Sequence, residues 1–442
     1  MDGFIQFWAD QGPGGIVRIF WFYFIFEFPR YLLLDYLTMI AHKLKGKFNK
    51  RSYEEAREEL WRQHPLVSII VPGKDEGKNY YKLVTSLAEQ TYRNYELIMI
   101  DDGSEDDTEI IARSLEKQGK IDLFIKNNVR GGKASAANVG VRYAKGEYIL
   151  HLDADTSFNR DAIEQVLIKF YEEDNIGAVG GSLEVRNTDE SLATRFQTIE
   201  YLLTFTVGRM VVSSLGILRL ISGAFGVFRA DVLKDIGGWD VGPGLDGDIT
   251  LKIRKMGYKV TFAPLAVCLT SVPATFGRLA KQRLRWNRSM IRFRFRKHSD
   301  LLFPKKNFSF SNFFAVFDNI FFNFILNFLW WFYIIDILFN FTAQVGYVLF
   351  GGMILYTVSK YVEFALVPLI SVNQTDKISL LAYIPGMTIY NGIYLRTVRS
   401  YAYIKELFFY DSYKDAWNPE KTSKAAREVE DQINSLFNKS PG

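Results

Sequence analysis

Glu147-Tyr148-Ile149-Leu150-His151-Leu152-Asp153-Ala154-Asp155 is the stretch on which the fold turns. Residues 148–152 form a short, largely apolar run of strand length, and two carboxylates follow at alternate positions. In open α/β sheets ligands bind beyond the carboxyl ends of strands, so acids placed just after a strand point to a cleft. Two carboxylates at such a tip can converge on a hard divalent cation, which takes one or two protein oxygens and completes its shell with substrate phosphates. Asp153 and Asp155 are therefore candidate ligands for Mg2+ or Mn2+.

The same pattern recurs along the chain. Residues 66–72, 97–100, 122–126 and 178–185 read as further strands separated by helical segments, which predicts an α/β domain with a largely parallel sheet. Pro72-Gly73-Lys74-Asp75-Glu76 follows the first of these and Asp101-Asp102-Gly103-Ser104 the second. Acceptors at Asp75, Asp101 and Asp102 suit the ring N–H of a uracil and the hydroxyls of a ribose, although both stretches also read as simple turns. Arg130-Gly131-Gly132-Lys133, with Asn138 further on, reads as a basic loop entering a helix. Its cation and backbone amides could reach a diphosphate.

Outside this domain the composition changes. The chain has 442 residues, 48% of them hydrophobic and 16% aromatic, too apolar at its two ends for a plain soluble enzyme. The net charge of +5 does not suggest nucleic-acid binding. Cys268 is the single cysteine, which excludes an intrachain disulfide, and the four histidines are scattered without metal-ligand spacing. An apolar stretch over 15–41, interrupted by Glu27, Pro29 and Arg30, is long enough for one kinked membrane span. It lacks the charged start and the small-x-small pattern of a cleaved leader. His42, Lys43, Lys45, Lys47, Lys50 and Arg51 follow and predict a cytoplasmic location for the next domain.

Three more apolar blocks lie at 313–341, 344–370 and 378–400. The third carries Pro385, Gly386, Asn391, Gly392, Arg396 and Arg399, and reads either as a span or as a segment partly in the interface. Asp318, Asn319, Asn323, Asn327 and Asp336 interrupt the first, where an ionisable group costs at least ~2.5 kcal/mol on insertion scales. They either face a polar interior or pack between helices. Between the domain and these blocks, Arg278, Lys281, Arg285, Arg288, Arg292 and Arg296 recur at helical spacing, with Leu279, Met290, Phe293 and Phe295 between them. This predicts an amphipathic helix along an anionic membrane surface. The expected organisation is 1–50 membrane helix and basic flank, 51–275 catalytic domain, 276–310 interface helices, 311–405 membrane helices and 406–442 polar tail, helical near 420–436.

Taken in order, Asp75, Asp101-Asp102, Gly131-Gly132-Lys133, Asp153-Ala154-Asp155, Ser222-Gly223-Ala224-Phe225-Gly226, Gly237-Gly238-Trp239-Asp240 and Gln282-Arg283-Leu284-Arg285-Trp286 resemble the glycosyltransferase family 2 synthases of cellulose, chitin, hyaluronan and poly-N-acetylglucosamine. The resemblance covers about 66–300 and implies a GT-A, Rossmann-like nucleotide-sugar domain joined to transmembrane helices. It implies an inverting transfer from a UDP-sugar onto a growing polysaccharide, by a multi-pass enzyme of the inner (plasma) membrane with its catalytic domain in the cytoplasm. Accessory export proteins are further partners such a synthase can take, and membrane lipids surround it.

Carried over residue by residue, the resemblance puts Asp75 and Asp102 at the uridine, Asp101 beside them at the donor, Lys133, Asp153 and Arg285 at the diphosphate, and Asp153 with Asp155 at the metal. Gln282, Trp286, Gly238 and Trp239 would face the acceptor, although Trp286 also reads as an interfacial anchor. The family's acidic pair before a short helix is Gly244-Leu245-Asp246-Gly247-Asp248 here. Asp246 falls on the general base and Leu245 replaces the glutamate; Asp248 either supplies the lost charge or, with Asp246, caps the helix. UDP-glucose stands slightly ahead of UDP-N-acetylglucosamine as donor. The alternatives are transfer of one sugar to a lipid, and an inactive nucleotide-sugar-binding module.

Overall fold

The strands of this chain form one sheet whose central members are buried on both faces, which is why those read as continuous apolar runs. In chain order they are β1 (Val67–Gly73), β2 (Tyr95–Asp101), β3 (Leu123–Lys126), β4 (Tyr148–Leu152), β5 (Ser157–Phe158), β6 (Ile176–Val185), β7 (Phe225–Arg229) and β8 (Lys259–Thr270). Ile69, Val71, Leu97, Met99 and Leu150 enter one core, while Ile70, Ile98, Ile100 and Ile149 enter another across the sheet. Period-two alternation thus supplies two apolar layers from a single run. The computed structural model describes residues 2–45, 52–240, 244–304, 308–370 and 375–414. Lys47, Lys50 and Arg51 of the expected basic flank, and the expected helix near 420–436, lie outside these residues.

The sheet order is β3-β2-β1-β4-β7-β6-β8-β5. β1, β2, β3 and β4 pair in parallel, but β7 runs antiparallel to both β4 and β6, and β5 antiparallel to β8. The sheet is therefore mixed, where the sequence predicted a largely parallel one. β8 escaped the sequence reading because Pro264 interrupts it. The pairing with β6 jumps from Gly181 opposite Ala263 to Ser182 opposite Val267, so the proline falls in a bulge where its missing N–H breaks no ladder bond.

Among the described residues three helices are long and apolar enough to cross a membrane: Phe310–Asn340, Val345–Leu369 and Lys377–Phe409. The N-terminal stretch differs from the single kinked span expected. It comprises a helix Asp2–Ile19 broken at Gly12, a wide π-helical stretch Tyr23–Leu33 containing Pro29, and a helix Leu34–Lys45. Proline lacks the N–H that would continue a regular helix, which accounts for the wide turn. The interrupting charges are paired: Arg396 donates to Glu27 at 2.9 Å, and Arg30 donates to Asp318 at 2.8 Å. Asn327 donates to Ser400 between helices at 2.7 Å, whereas Asp318, Asn319 and Asn323 line an internal cavity. Both sequence readings of these polar residues thus hold, for different residues. Asn391, Gly392, Arg396 and Arg399 of the third block line the same cavity.

The basic helix is Phe276–Met290, continued by the π-helical stretch Ile291–Lys297. It packs against Arg396–Phe409, so part of the stripe meets protein where the sequence predicted an anionic membrane surface. Arg288 donates to Asp411 at 3.0 Å, and Arg296 donates to the Glu406 carboxylate and carbonyl, each at 2.6 Å. Acids on a neighbouring helix took these cations, and helical spacing alone could not reveal that.

Candidate active site

Parallel pairing in register sets the ends of β1 and β2 side by side, with Gly73 opposite Asp101. Asp75, just past β1, has φ 60°, a conformation that costs a non-glycine residue energy and that clusters at ligand sites. It is held there because its amide donates to Ser104 Oγ at 2.8 Å and its carboxylate accepts from the Glu105 amide at 3.1 Å. Burial opposes its ionisation, but Lys74 and that amide hold the carboxyl below its usual range.

Asp102 performs a task the sequence did not suggest: its two oxygens accept from the amides of Gly131, at 2.8 Å, and Gly132, at 2.7 Å. Burial pushes its carboxyl up against the pull of those amides. The carboxylate thus fixes the glycine loop that launches the helix Lys133–Tyr143, and Gly132, at φ 85°, makes the entry turn. Asp101 does not join the site. It is fully buried and its carboxylate accepts from the Ser104 amide at 2.9 Å, because side chains at neighbouring strand positions point to opposite faces.

Lys133 reaches across to the carboxylate of Asp153. Asp155 lines the same cavity, and burial and then the charge of Asp153 raise its carboxyl above the usual range. Among the described residues no group of three or more His, Cys, Asp or Glu side chains could hold a metal alone. Two adjacent carboxylates, one of them costly to ionise, fit a hard cation whose other ligands are diphosphate oxygens and water.

Asp246 lies in the first turn of the helix Leu245–Lys255 and lines the cavity. Burial raises its carboxyl, opposed by Lys133 and the Gly223 backbone. A methyl group at Gly223 would collide with the Asp246 carboxylate, so glycine is what permits the acid to sit against this loop. His151 holds the loop from below. Burial and Lys133 push its ring down to about 3, and Nδ1 donates to the Gly223 carbonyl at 2.7 Å.

Asp248 does not replace the missing glutamate. Two residues along a helix turn the side chain by ~200°, and Asp248 instead accepts from His298 and from Lys297, each at 2.6 Å. Leu245 packs against the apolar layer that includes Trp239.

Gln282, Arg285 and Trp286 all line the cavity. The Arg283 guanidinium lies 4.3 Å from the Trp286 ring and donates to Glu200 at 3.0 Å, while Phe205 flanks the same indole. Gly238 and Trp239 do not line it. Trp239 is 3% exposed, packed between His151 and Phe228, and its amide donates to Asn138 at 2.9 Å. The expected acceptor role fails for this pair because the indole completes the core beneath the strand ends. Asn138 accordingly serves that turn. Residues of the cavity wall that the sequence reading missed are Tyr201, Phe205 and Arg209, which carry no motif.

A single cavity of about 1580 Å³ connects these groups. It extends from Asp75, Asp102, Asp153 and Asp155 past Asp246 and Trp286 to Asn323, Trp330 and Tyr356 on the apolar helices, and to Arg396.

Residues 68–237 match the family model described as glycosyl transferase family 2. Poly-beta-1,6-N-acetyl-D-glucosamine synthase of Staphylococcus epidermidis is 34% identical over 222 residues, which cover 50% of this chain and 53% of the relative. The synthase of the same name from Staphylococcus aureus (strain COL) is 31% identical over 222 residues, with the same coverage. The chain thus spans about half the length of the curated relatives it matches. A solved mannosyltransferase from Pyrobaculum calidifontis, in complex with GDP-mannose and Mn2+, superposes with a TM-score of 0.54 at 17% identity, covering 85% of this chain and 99% of that one. The likeness shows a shared GT-A fold. The resemblance to family 2 polysaccharide synthases drawn from the ordered motifs stands.

Proposed function

We propose that this protein is a processive, inverting glycosyltransferase that builds a β-linked polysaccharide from a UDP-sugar and passes the product between its membrane helices. The observation that carries the reading is the continuous cavity, which holds the strand-end acids, Asp246, Trp286 and residues of all three apolar helices. A glycosyltransferase that releases each product to solvent has no use for such a passage. The names of the relatives favour UDP-N-acetylglucosamine as donor, ahead of the UDP-glucose that the sequence had put first.

In this reading Asp75 and Asp102 border the nucleoside, while Lys133 and Arg285 face the diphosphate. A Mg2+ or Mn2+ ion held by Asp153 and Asp155 would neutralise phosphate charge when bound. Asp246 accepts the proton of the acceptor hydroxyl as its oxygen bonds to the anomeric carbon; the bond to UDP breaks and its electron pair leaves with the diphosphate. Attack opposite the leaving group inverts the anomeric centre. Trp286 offers a flat face to the acceptor sugar. The three apolar helices support a multi-pass membrane protein, with the basic residues around 42–51 favouring a cytoplasmic catalytic domain.

The test is to supply the purified protein with labelled UDP-N-acetylglucosamine or UDP-glucose and Mn2+, and to size the product. A ladder or long polymer that a linkage-specific hydrolase degrades is expected. A single labelled glycolipid would sink polymerisation, and absence of UDP release from either donor would sink the enzymatic reading.

A further inference from the structure

Between the helices Leu192–Glu200 and Gly208–Ser214 the chain winds as a π-helix from Tyr201 to Val207. Such wide turns are frequent at functional sites. Here the turn and the residues after it present Tyr201, Phe205 and Arg209 to the cavity, beside Trp286.

Arg209 is the unexplained member. It is 7% exposed, its guanidinium lies 4.8 Å from the Phe205 ring, and its Nη1 has no hydrogen-bond partner. Burial lowers its pKa only to about 10, so it stays charged at neutral pH. A buried donor without a partner is costly, and at a cavity wall a ligand can supply the acceptor it lacks. Asp246 lines the same cavity within reach of its charge, yet no hydrogen bond joins the two. Their capacities are complementary. Guanidinium only donates and ionised carboxylate only accepts, so a group bridging them must do both, as neighbouring hydroxyls of one sugar ring can.

We propose that Arg209, with the Phe205 and Trp286 rings beside it, forms the subsite for the terminal sugar of the acceptor: Arg209 donates to an oxygen of that sugar while another of its hydroxyls donates to Asp246. The inference rests on the glycosyltransferase reading above and adds to it the residue that orients the acceptor. Arg209 gives the sugar a second tie besides the base and so limits which hydroxyl meets Asp246. Water, bound by one hydrogen bond instead of several, gains less from it.

The full-length protein in detergent, with UDP-N-acetylglucosamine, Mn2+ and a β-linked N-acetylglucosamine oligosaccharide, provides the test. UDP release to water without acceptor and sugar incorporation with acceptor are measured for the wild type, Arg209→Lys and Arg209→Met. Loss of one charged hydrogen bond predicts an acceptor KM raised about tenfold and a ratio of incorporation to hydrolysis lowered at least about tenfold. Incorporation and hydrolysis that stay level, or fall in parallel, in a variant with wild-type melting behaviour overturn the proposal. Should Arg209→Met fail to fold, Arg209→Lys, which keeps the charge and loses the fork, decides alone. A wild type that turns over while both variants show no split defeats only the Arg209 subsite; a wild type that releases no UDP defeats the enzymatic reading and this one with it.

Discussion

Asp318, on an apolar helix, accepts a 2.8 Å hydrogen bond from Arg219, which lies four residues before the glycine that borders Asp246. The same carboxylate accepts from Arg30 of the N-terminal segment. One acid thus ties the membrane helices to the loop that shapes the base. Arg294 donates to the Arg219 carbonyl at 3.3 Å and Arg254 to the carbonyls of Leu218 and Gly216, so the loop is clamped from several sides.

Replacing Asp318 by Asn should therefore do more than remove a pair. Arg219 would be left in a buried setting without its counter-charge, and Arg30 with Asp35 alone, a change that typically costs ~3–5 kcal/mol. A lower melting midpoint in detergent and reduced turnover with nucleotide affinity retained are expected. Wild-type melting and turnover would show that the clamp does not govern the loop.

Asp246→Asn should lower transfer by ~100 to 10,000-fold, the usual cost of losing a positioned base, while UDP binding by calorimetry persists. Because burial raises the Asp246 carboxyl and only the ionised form can accept a proton, the acid limb of the kcat profile should lie above the ~3.9 of an ordinary aspartate. Gly223→Ala should reproduce the rate loss without touching a titrating group. Unchanged turnover in Asp246→Asn would remove it from the role of base.

Asp248 is held by Lys297 and His298 and does not line the cavity, which predicts a contribution to stability and not to chemistry. Hydrogen bonds from His298 and Lys297 hold its carboxyl below the usual range although burial opposes its ionisation. Its contribution is accordingly full above the unfolded value of ~3.9 and is lost as pH falls through the lower folded value. The melting difference between wild type and Asp248→Asn should be largest near neutrality and shrink below about pH 4. A difference that does not vary with pH would argue against an ionised native Asp248.

Arg285 and Arg288 share a helix but face different partners: Arg285 lines the cavity and Arg288 bonds Asp411. Arg285→Ala should abolish most turnover with membrane association intact. Arg288→Ala should cost about 1 kcal/mol or less, as partly exposed ion pairs do, and keep turnover near wild type. Equal effects on turnover would show that the helix acts through its charge as a whole.

Local chemistry determined a good part of this protein. Apolar runs of strand length, each followed by acids, were enough for β1, β2 and β4 and for the cleft at their ends, because strand direction alone sets where the following residues emerge. Helices of membrane length were legible from their hydropathy in the same way. Which acid does what was decided only in three dimensions. Asp101 and Asp102 are neighbours in sequence and both buried, yet strand alternation turns Asp101 to the Ser104 amide and aims Asp102 at the Gly131-Gly132 amides. Asp246 and Asp248 diverge because two residues span little more than half a helical turn. Trp239 went to the core, and Arg209, which belongs to no motif, reached the cavity through a π-turn that no residue pattern announces. Side-chain direction and long-range pairing depend on elements hundreds of residues apart, as Glu27 with Arg396 and Arg30 with Asp318 show.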